Sequence, residues 1–365
     1  MRSFSDDNNQ TFFKDIYSFP SSSYGVLDAN NFLNIRKYWS LNFTKKLKFD
    51  KNEFDYLYNE NLKIHLNSHV PVAFTLSGGL DSTSLVKYAH LNNFNVNSFS
   101  LSMNKNIGND ESLFIKKFLK SNDINHEFIK IDKKDLKNII EKTINYYDEP
   151  SAHASKLLQF IMREKIAKKG FKVLINGEGG DEFLGGYLRH YKYFIYEQFL
   201  KGNKSVPKLF KKNCQNSTQE KFLKTIKKTN LILEGLKKDT HDIEHLDVFK
   251  FTNHNIKNLK KNLRFFIQSD LKGKNFFKKA LLSQIFKRDL PYCLKFEDRN
   301  SMASSIEGRT PLVDHTLAEY IFSRKTSYFL QDGELKFMLK SILKNKIPDG
   351  HLKKKKLEDQ VQKVI

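Results

Sequence analysis

The stretch VPVAFTL at residues 70–76, followed at once by SGGLDST at residues 77–83, decides the fold of this chain. An apolar run of this length that ends in a glycine turn predicts a buried strand. The chain restarts as a helix at Asp81, so backbone N–H groups and hydroxyls converge beyond the strand. Such a turn is typical of an anion cradle, and its carboxylate indicates that a divalent cation arrives with phosphates. The alternative interpretation is a plain turn between a strand and a helix.

Strands and helices alternate on both sides of this turn. The predicted strands are 70–76, 96–101, 127–131 and 173–175, and the predicted helices are 82–91, 110–119, 135–147 and 155–168. This alternation predicts an α/β fold, a parallel twisted sheet with helices on both faces. Ligands of such a sheet bind beyond the carboxyl ends of its strands. After Tyr187 the lysine-rich sequence predicts an added helical part without clear strands.

A second glycine-rich stretch, NGEGGDEFLGGY at residues 176–187, follows the fourth predicted strand. Its five glycines and three carboxylates cannot form a helix or strand interior. Crowded negative charge needs a counter-charge, which a metal ion with ATP would supply. A flexible acidic surface loop is the alternative. The first loop lacks the Gly-Lys-Ser/Thr of the Walker A motif, which argues against kinase or GTPase chemistry.

Composition excludes several classes of protein. The 365 residues are 39% hydrophobic and 13% aromatic, which excludes global disorder. No run of about 18 apolar residues occurs, and the polar opening lacks the apolar region of a signal peptide, so we expect no membrane partner. The two cysteines, Cys214 and Cys293, are too few for a disulfide framework or a Cys-x-x-Cys metal site. We therefore predict a cytoplasmic protein.

The formal net charge of +22 has two interpretations, a nucleic-acid partner or lysines on solvated helix faces. The basic residues recur mainly as pairs within helical stretches, such as Lys116-Lys117 and Lys227-Lys228. No base-stacking motif accompanies them. We therefore do not expect nucleic acid as the main partner.

The two loops, in this order, resemble the synthetase domain of asparagine synthetases, which belongs to the PP-loop ATP pyrophosphatases. The resemblance includes YDEP at 147–150, DRNSM at 298–302 and E-x-R-x-P-L-x-D-H at 307–315, and it covers about residues 55–356. It implies that residues 1–54 are the end of a glutaminase domain with its linker. Residues 55–365 would then be an ATP-binding synthetase domain, with the sheet core at about 55–190 and the helical part at about 191–365.

The resemblance implies a two-step reaction with ATP and Mg²⁺. The side-chain carboxylate of aspartate attacks the α-phosphorus of ATP, which gives an acyl-adenylate and pyrophosphate. Ammonia then displaces AMP and leaves an amide. By resemblance, pyrophosphate binds Ser77, Gly78, Gly79 and Ser82, magnesium binds Asp81 and Asp181, and adenosine contacts Leu76, Leu101, Asn176 and Gly177.

The resemblance also assigns roles around the acceptor carboxylate. Glu178 binds substrate and transfers a proton during amidation, and Tyr187 lines the same cleft. Counted from Pro348, Lys356 projects into the active site and stabilises charge there, or Lys355 does if the register slips by one residue. A solvated basic tail is the alternative for this lysine run.

Other charged residues have a structural interpretation. We expect Arg299, Glu307 and Arg309 to form a buried ion-pair network. Asp314 is expected to cap the N-terminus of a helix that begins at His315.

The sequence departs from the family at both ends. Position 2 is Arg2, where glutamine-using relatives carry a catalytic cysteine, and residues 16–41 resemble only the end of the glutaminase domain. We therefore expect the ammonia to be free or to come from a separate glutaminase chain. Leu357–Gln360 replace a Gly-Phe pair, which leaves full activity open.

Three alternatives to asparagine synthesis remain, and a homodimer is left open. The same chemistry could act on another carboxylate, such as a sugar acid, a natural product or a peptide. The chain could be a non-catalytic homologue that pairs with a separate glutaminase chain. An RNA-modifying enzyme with a related ATP loop is supported only by the net charge.

Overall fold

The computed structural model describes residues 11–30, 33–103, 112–131, 136–147, 149, 154–201, 275–331 and 333–352. Its strands are β1 Ser23–Leu27, β2 Leu33–Lys37, β3 Val72–Thr75, β4 Asn97–Met103, β5 Asn125–Ile131, β6 Val173–Ile175, β7 Glu307–Arg309, β8 Leu330–Gln331 and β9 Glu334–Leu335. Five of them form a parallel sheet in the order β5-β4-β3-β6-β7. The pairs β1–β2 and β8–β9 are small antiparallel sheets outside it.

The helices connect and cover these strands. They are α1 Lys51–Leu66, α2 Leu80–Leu91, α3 Ser112–Lys120, α4 Leu136–Tyr147, α5 Ala154–Ala167, α6 Gly180–Leu184, α7 Leu188–Leu200, α8 Phe276–Lys287, α9 Asp289–Met302, α10 His315–Ser323, α11 Phe337–Leu343 and α12 Asp349–Leu352. Aspartates cap two of them: the Asp50 side chain accepts from the first-turn N–H groups of α1, and Asp314 does the same for α10. The predicted cap at Asp314 is confirmed. Among the described residues, no helix combines the length and apolarity needed to cross a membrane.

The sheet is buried on both faces because successive strand residues point to opposite sides. Val72 and Phe74 of β3 pack into a large core with α1, α2 and the C-terminal helices. Ala73, between them, faces a second core formed with α5 through Met162 and Ile166. The predicted parallel sheet with helices on both faces is confirmed.

The strand order creates a switch point between β3 and β6. From β3 the chain moves outward through β4 and β5, and it returns to the other side of β3 at β6. Phe74 lies opposite Ile175 in the register of this pair, so both strands end at the same edge of the sheet. The two glycine-rich loops therefore leave the sheet side by side, where open α/β sheets bind ligands.

Five strands were missed by the sequence interpretation, β1, β2, β7, β8 and β9, and only one of them belongs to the five-stranded sheet. β7, with the sequence Glu-Gly-Arg, pairs with β6 as the fifth strand of the sheet, although it lies in the part predicted to be helical. It has no apolar residue, so no hydrophobic pattern could indicate it. The partner strand and the helix α9 before it hold it in place. The domain boundaries at residues 54 and 190 stay predictions.

The expected buried network of Arg299, Glu307 and Arg309 is wrong. Arg309 does pair with Glu307 at 2.7 Å, but the Glu307 side chain is 62% exposed because β7 is an edge strand. Arg299 instead lies 3.3 Å from Glu149, which also binds Lys295 at 2.8 Å. Two separate ion-pair groups therefore replace the single network.

Candidate active site

The first glycine loop joins β3 to α2 and is held by its own hydroxyl groups. Ser82 Oγ accepts a hydrogen bond from the backbone N–H of Ser77 at 3.0 Å and lies 3.0 Å from Ser77 Oγ. Ser77 Oγ in turn accepts from the N–H of Gly79 at 3.3 Å. Gly78 has φ 70°, a left-handed conformation that glycine adopts without steric cost. The four residues predicted to bind pyrophosphate thus form one compact turn at the strand's end.

The second loop packs directly against the first. It contains the short helix α6, so the expectation that this stretch forms no helix is wrong. A Cβ atom on Gly180 would lie 2.5 Å from Asp81 Cγ. A Cβ atom on Gly177 would lie 3.0 Å from both Asp81 Cβ and the Ser82 backbone nitrogen. Only glycine at these positions lets the loops approach so closely, which brings the carboxylates of the two loops together.

We expect Gly180→Ala to lower the free energy of unfolding by about 1–3 kcal/mol, because the added methyl group forces Asp81 to move. Gly350→Ala is the matched control, since its added Cβ meets open space within α12. The control should be unchanged or up to about 1 kcal/mol more stable. Chemical denaturation of both variants measures the difference, and equal stabilities would contradict the close packing of the loops.

Asp81 and Asp181, one from each loop, meet at a single cation. The Lys336 ammonium lies 2.6 Å from an oxygen of Asp81 and 2.6 Å from an oxygen of Asp181. All three side chains are largely buried, with 9% of Lys336 exposed. Burial opposes the lysine charge, but Asp181 and Asp81 outweigh it and raise the pKa of Lys336 above the ordinary lysine value.

The arrangement of these carboxylates fits a magnesium ion that arrives with a nucleotide. A cation, the Lys336 ammonium, already lies between their oxygens. Across the described ranges, no group of three or more His, Cys, Asp or Glu side chains could hold a metal by itself. Magnesium usually takes one or two carboxylates and completes its shell with phosphate oxygens and water. The pair therefore suits Mg²⁺ bound together with phosphate.

Glu178, in the second loop, is held by two donors from α5. Lys156 Nζ and Gln159 Nε2 each lie 3.1 Å from the same oxygen, Glu178 Oε1. Burial would raise the pKa of Glu178, but the charge of Lys156 and the hydrogen bonds from Lys156 and Gln159 outweigh it and lower the pKa. Glu178 is thus an ionised carboxylate at the ligand edge of the sheet.

A buried ion pair supports the start of the second loop. Asn176 accepts from the Glu178 N–H at 3.0 Å and donates to Glu297 Oε1 at 2.8 Å. Glu297 pairs with Arg163, and the two side chains are only 3% and 1% exposed. The loop is therefore connected by hydrogen bonds to α5 and α9.

Tyr187, predicted to line the substrate cleft, is fixed on several sides. Its hydroxyl donates to Glu182 at 2.6 Å, and the Arg189 guanidinium lies 4.2 Å from its ring centre. Burial, and then the neighbouring charge of Asp181, raises the pKa of Glu182 to about 7. The tyrosine ring therefore has one well-defined orientation beside the aspartate pair.

The predicted adenosine residues lie at or near the same edge, with different degrees of access. Leu76 is buried in the main core, and its carbonyl accepts from Ser100. Leu101 on β4 is half-buried. The Asn176 side chain is already hydrogen-bonded on both sides, so it has a structural role as well. Their part in adenosine binding stays a prediction.

Several residues that the predictions used lie outside the described residues. These are Lys355, Lys356, Asp148, Pro150 and Cys214. The cation that the structure does describe beside the aspartates, Lys336, was missed by the sequence interpretation. Lys336 follows the hairpin β8–β9, and no sequence motif surrounds it. Only the excess of carboxylates in the two glycine-rich loops indicated that a cation must lie near them. Lys156, Arg163 and Glu297 were also missed.

Comparison with known proteins gives related sequences over most of the chain. The family model described as asparagine synthase matches residues 53–362. An asparagine synthetase [glutamine-hydrolyzing] 3 of Bacillus subtilis is 26% identical over 352 residues, which cover 89% of this chain and 51% of the relative. Amidase chyE of Penicillium rubens is 26% identical over 200 residues, covering 49% of this chain and 30% of the relative. The chain thus spans about half or less of these relatives.

Similarity to solved structures is weaker. An NH3-dependent NAD synthetase of Campylobacter jejuni aligns with a TM-score of 0.27 and 18% identity, over 60% of this chain and 94% of that one. The sequence match, by contrast, covers both glycine loops, β7 and α11 with the preceding Lys336. By this match the chain belongs to the asparagine synthase family.

Proposed function

We propose that this chain is an ATP-dependent amide-forming ligase that adenylates the side-chain carboxylate of aspartate and transfers ammonia to it. The convergence of Asp81 and Asp181 on one cation carries the proposal. Two carboxylates from separate loops, beside an anion cradle, form a site for a magnesium–nucleotide complex. Membership of the asparagine synthase family supports a carbon–nitrogen ligase.

The residues divide the work of adenylation between them. The turn of Ser77, Gly78, Gly79 and Ser82 binds the β- and γ-phosphates through N–H and hydroxyl groups. Asp81 and Asp181 would hold Mg²⁺, which would supply Lewis-acid stabilisation of the leaving pyrophosphate. Lys336 adds a buried positive charge next to them. Lys356 or Lys355 stays the predicted second cation, and Leu76, Leu101, Asn176 and Gly177 stay the predicted adenosine contacts.

The second step, the transfer of ammonia, uses residues at the other end of the cleft. Tyr187 and Glu178 bind the acceptor, and the Glu178 carboxylate accepts a proton from the attacking ammonia. A proton acceptor must be ionised before the reaction begins, and the charge and hydrogen bond of Lys156 lower the pKa of Glu178 and keep it so. The group that displaces AMP is ammonia, and the reaction takes place in the cytoplasm.

Carboxylates other than aspartate form a second class of acceptor, which the same experiment should test. The similarity to an amidase at 26% identity supports amide chemistry without pointing to aspartate as the substrate. The two glycine loops and the aspartate pair serve adenylation of any carboxylate, because they contact the nucleotide side of the reaction.

Pyrophosphate release by the purified chain tests the proposal. Release should require ATP, Mg²⁺ and aspartate together, and ammonium should then support asparagine formation. Release with a different carboxylate in a screen would support the second acceptor class. No release with any carboxylate would favour a non-catalytic homologue, and turnover with glutamine alone would contradict the expected ammonia source.

A further inference from the structure

Lys156 is a buried cation that has no role in the adenylation step as proposed above. It lies on α5, 5% exposed, and its ammonium contacts Glu178 Oε1 at 3.1 Å. Its backbone carbonyl accepts from Asn300 Nδ2 at 3.0 Å, and Asn300 in turn accepts from the Tyr147 hydroxyl. Both ends of the lysine are therefore fixed, the backbone by α9 and the ammonium by the second glycine loop.

The donors around Glu178 are arranged on one side of its carboxylate. Lys156 and Gln159 both donate to Oε1, and within the described part of the chain neither of these two bonds uses Oε2, the oxygen that we expect to face an incoming substrate. The same loop is fixed from behind, because Asn176 accepts the Glu178 N–H. The carboxylate thus has a defined position and a defined free edge before any substrate binds.

The charges around this pair explain why a cation is needed there. Glu182 on α6 and Glu297 on α9 add negative charge near this pair, and among the described residues Arg163 adds a further positive one. ATP would bring several more negative charges into the same cleft. Negative charge favours the protonated form of a carboxylic acid. Lys156 therefore favours the ionised form of Glu178, which is the form that can accept a proton.

We propose that Lys156 is a positioning residue for the amidation step. Its ammonium holds the Glu178 carboxylate in place as the proton acceptor for ammonia. This inference rests on the proposed function. The ammonia nitrogen bonds to the acyl carbon, and one of its protons passes to Glu178. The bond from that carbon to the AMP oxygen breaks, its electron pair leaves with AMP, and Glu178 later returns the proton to water.

The proposal predicts that Lys156→Met separates the two half-reactions. Exchange between ATP and pyrophosphate, which reports adenylation, should stay within about threefold of wild type. Amide formation with ammonia should fall on the order of a hundredfold, the usual contribution of a proton acceptor. Lys156→Arg should restore part of it. Lys165→Met, at an exposed lysine of the same helix, is the control and should change neither.

A double variant keeps the test decisive if Lys156→Met folds poorly. Lys156→Met with Glu178→Gln removes both buried charges, and its amide formation should equal that of Glu178→Gln alone, because the lysine acts through the glutamate. A further loss in the double variant, or an equal loss of both half-reactions in Lys156→Met, would overturn the inference. Amide formation by Lys156→Met at the wild-type rate would do the same.

The failure of the proposed function has a different signature. If the wild-type chain exchanges no pyrophosphate with any carboxylate, the ligase proposal is wrong, and the role of Lys156 is wrong with it. If the wild type is active and the variants behave additively, only the role of Lys156 is wrong.

Discussion

Asp181→Asn should reduce pyrophosphate release on the order of a thousandfold or more, because it removes half of the aspartate pair that we propose holds the metal beside the phosphates. The fold should survive. In the variant, Lys336 keeps its contact with Asp81, at 2.6 Å, and no buried charge is left alone. Release is measured with ATP, Mg²⁺ and aspartate, and thermal melting reports the fold.

Asp123→Asn is the matched control for this prediction. It makes the same chemical change at an exposed carboxylate in the turn before β5. Wild-type protein should melt at a higher temperature with Mg²⁺ and ATP, and so should the control. The Asp181→Asn variant should lose most of this shift. Full activity in Asp181→Asn would remove the residue from the site, whatever the acceptor is.

Arg163→Met should lower the free energy of unfolding by roughly 3–5 kcal/mol, the cost of leaving one partner of a buried ion pair alone. Glu297, 3% exposed, would keep its charge without its guanidinium partner. Because Glu297 also accepts from Asn176, the second glycine loop should loosen as well. Equilibrium unfolding in urea measures the loss of stability.

Lys168→Met is the control for the ion pair. Lys168 lies just beyond the end of α5, 71% exposed, and its partner Glu164 is 2.9 Å away. A solvated pair of this kind contributes only about 0–1 kcal/mol. If both variants lose the same stability, the pair between Arg163 and Glu297 contributes no more than a surface contact.

The sequence was sufficient to predict the position of both aspartates. Asp81 and Asp181 each follow a buried strand, and parallel strands present their carboxyl ends at one edge. Because Phe74 lies opposite Ile175 in the sheet, the two strands end side by side, and the loops that follow them lie next to each other. The glycines predicted that the two loops approach closely, because a residue without a Cβ atom leaves room for the neighbouring loop.

The cations of the site could not be predicted in this way. Lys336 lies 255 residues after Asp81, and it has a left-handed backbone just before the short helix α11. Many lysines in this basic chain could have met the carboxylates equally well in sequence terms. Lys156 has the same difficulty, because its partner Glu178 is known only once α5 has packed on the sheet. Contacts between distant segments decide both cases.

The ammonium between the two aspartates also bears on how the protein loads its ligands. Two facing carboxylates without a cation between them would bind any divalent ion that reached them. Here the Lys336 ammonium already occupies that position, so under the proposed function free magnesium would have to compete with it. A metal that arrives already chelated by a nucleotide offers the lysine phosphate oxygens in exchange. Under the proposed function, the lysine would thus favour joint entry of metal and nucleotide over entry of the metal alone.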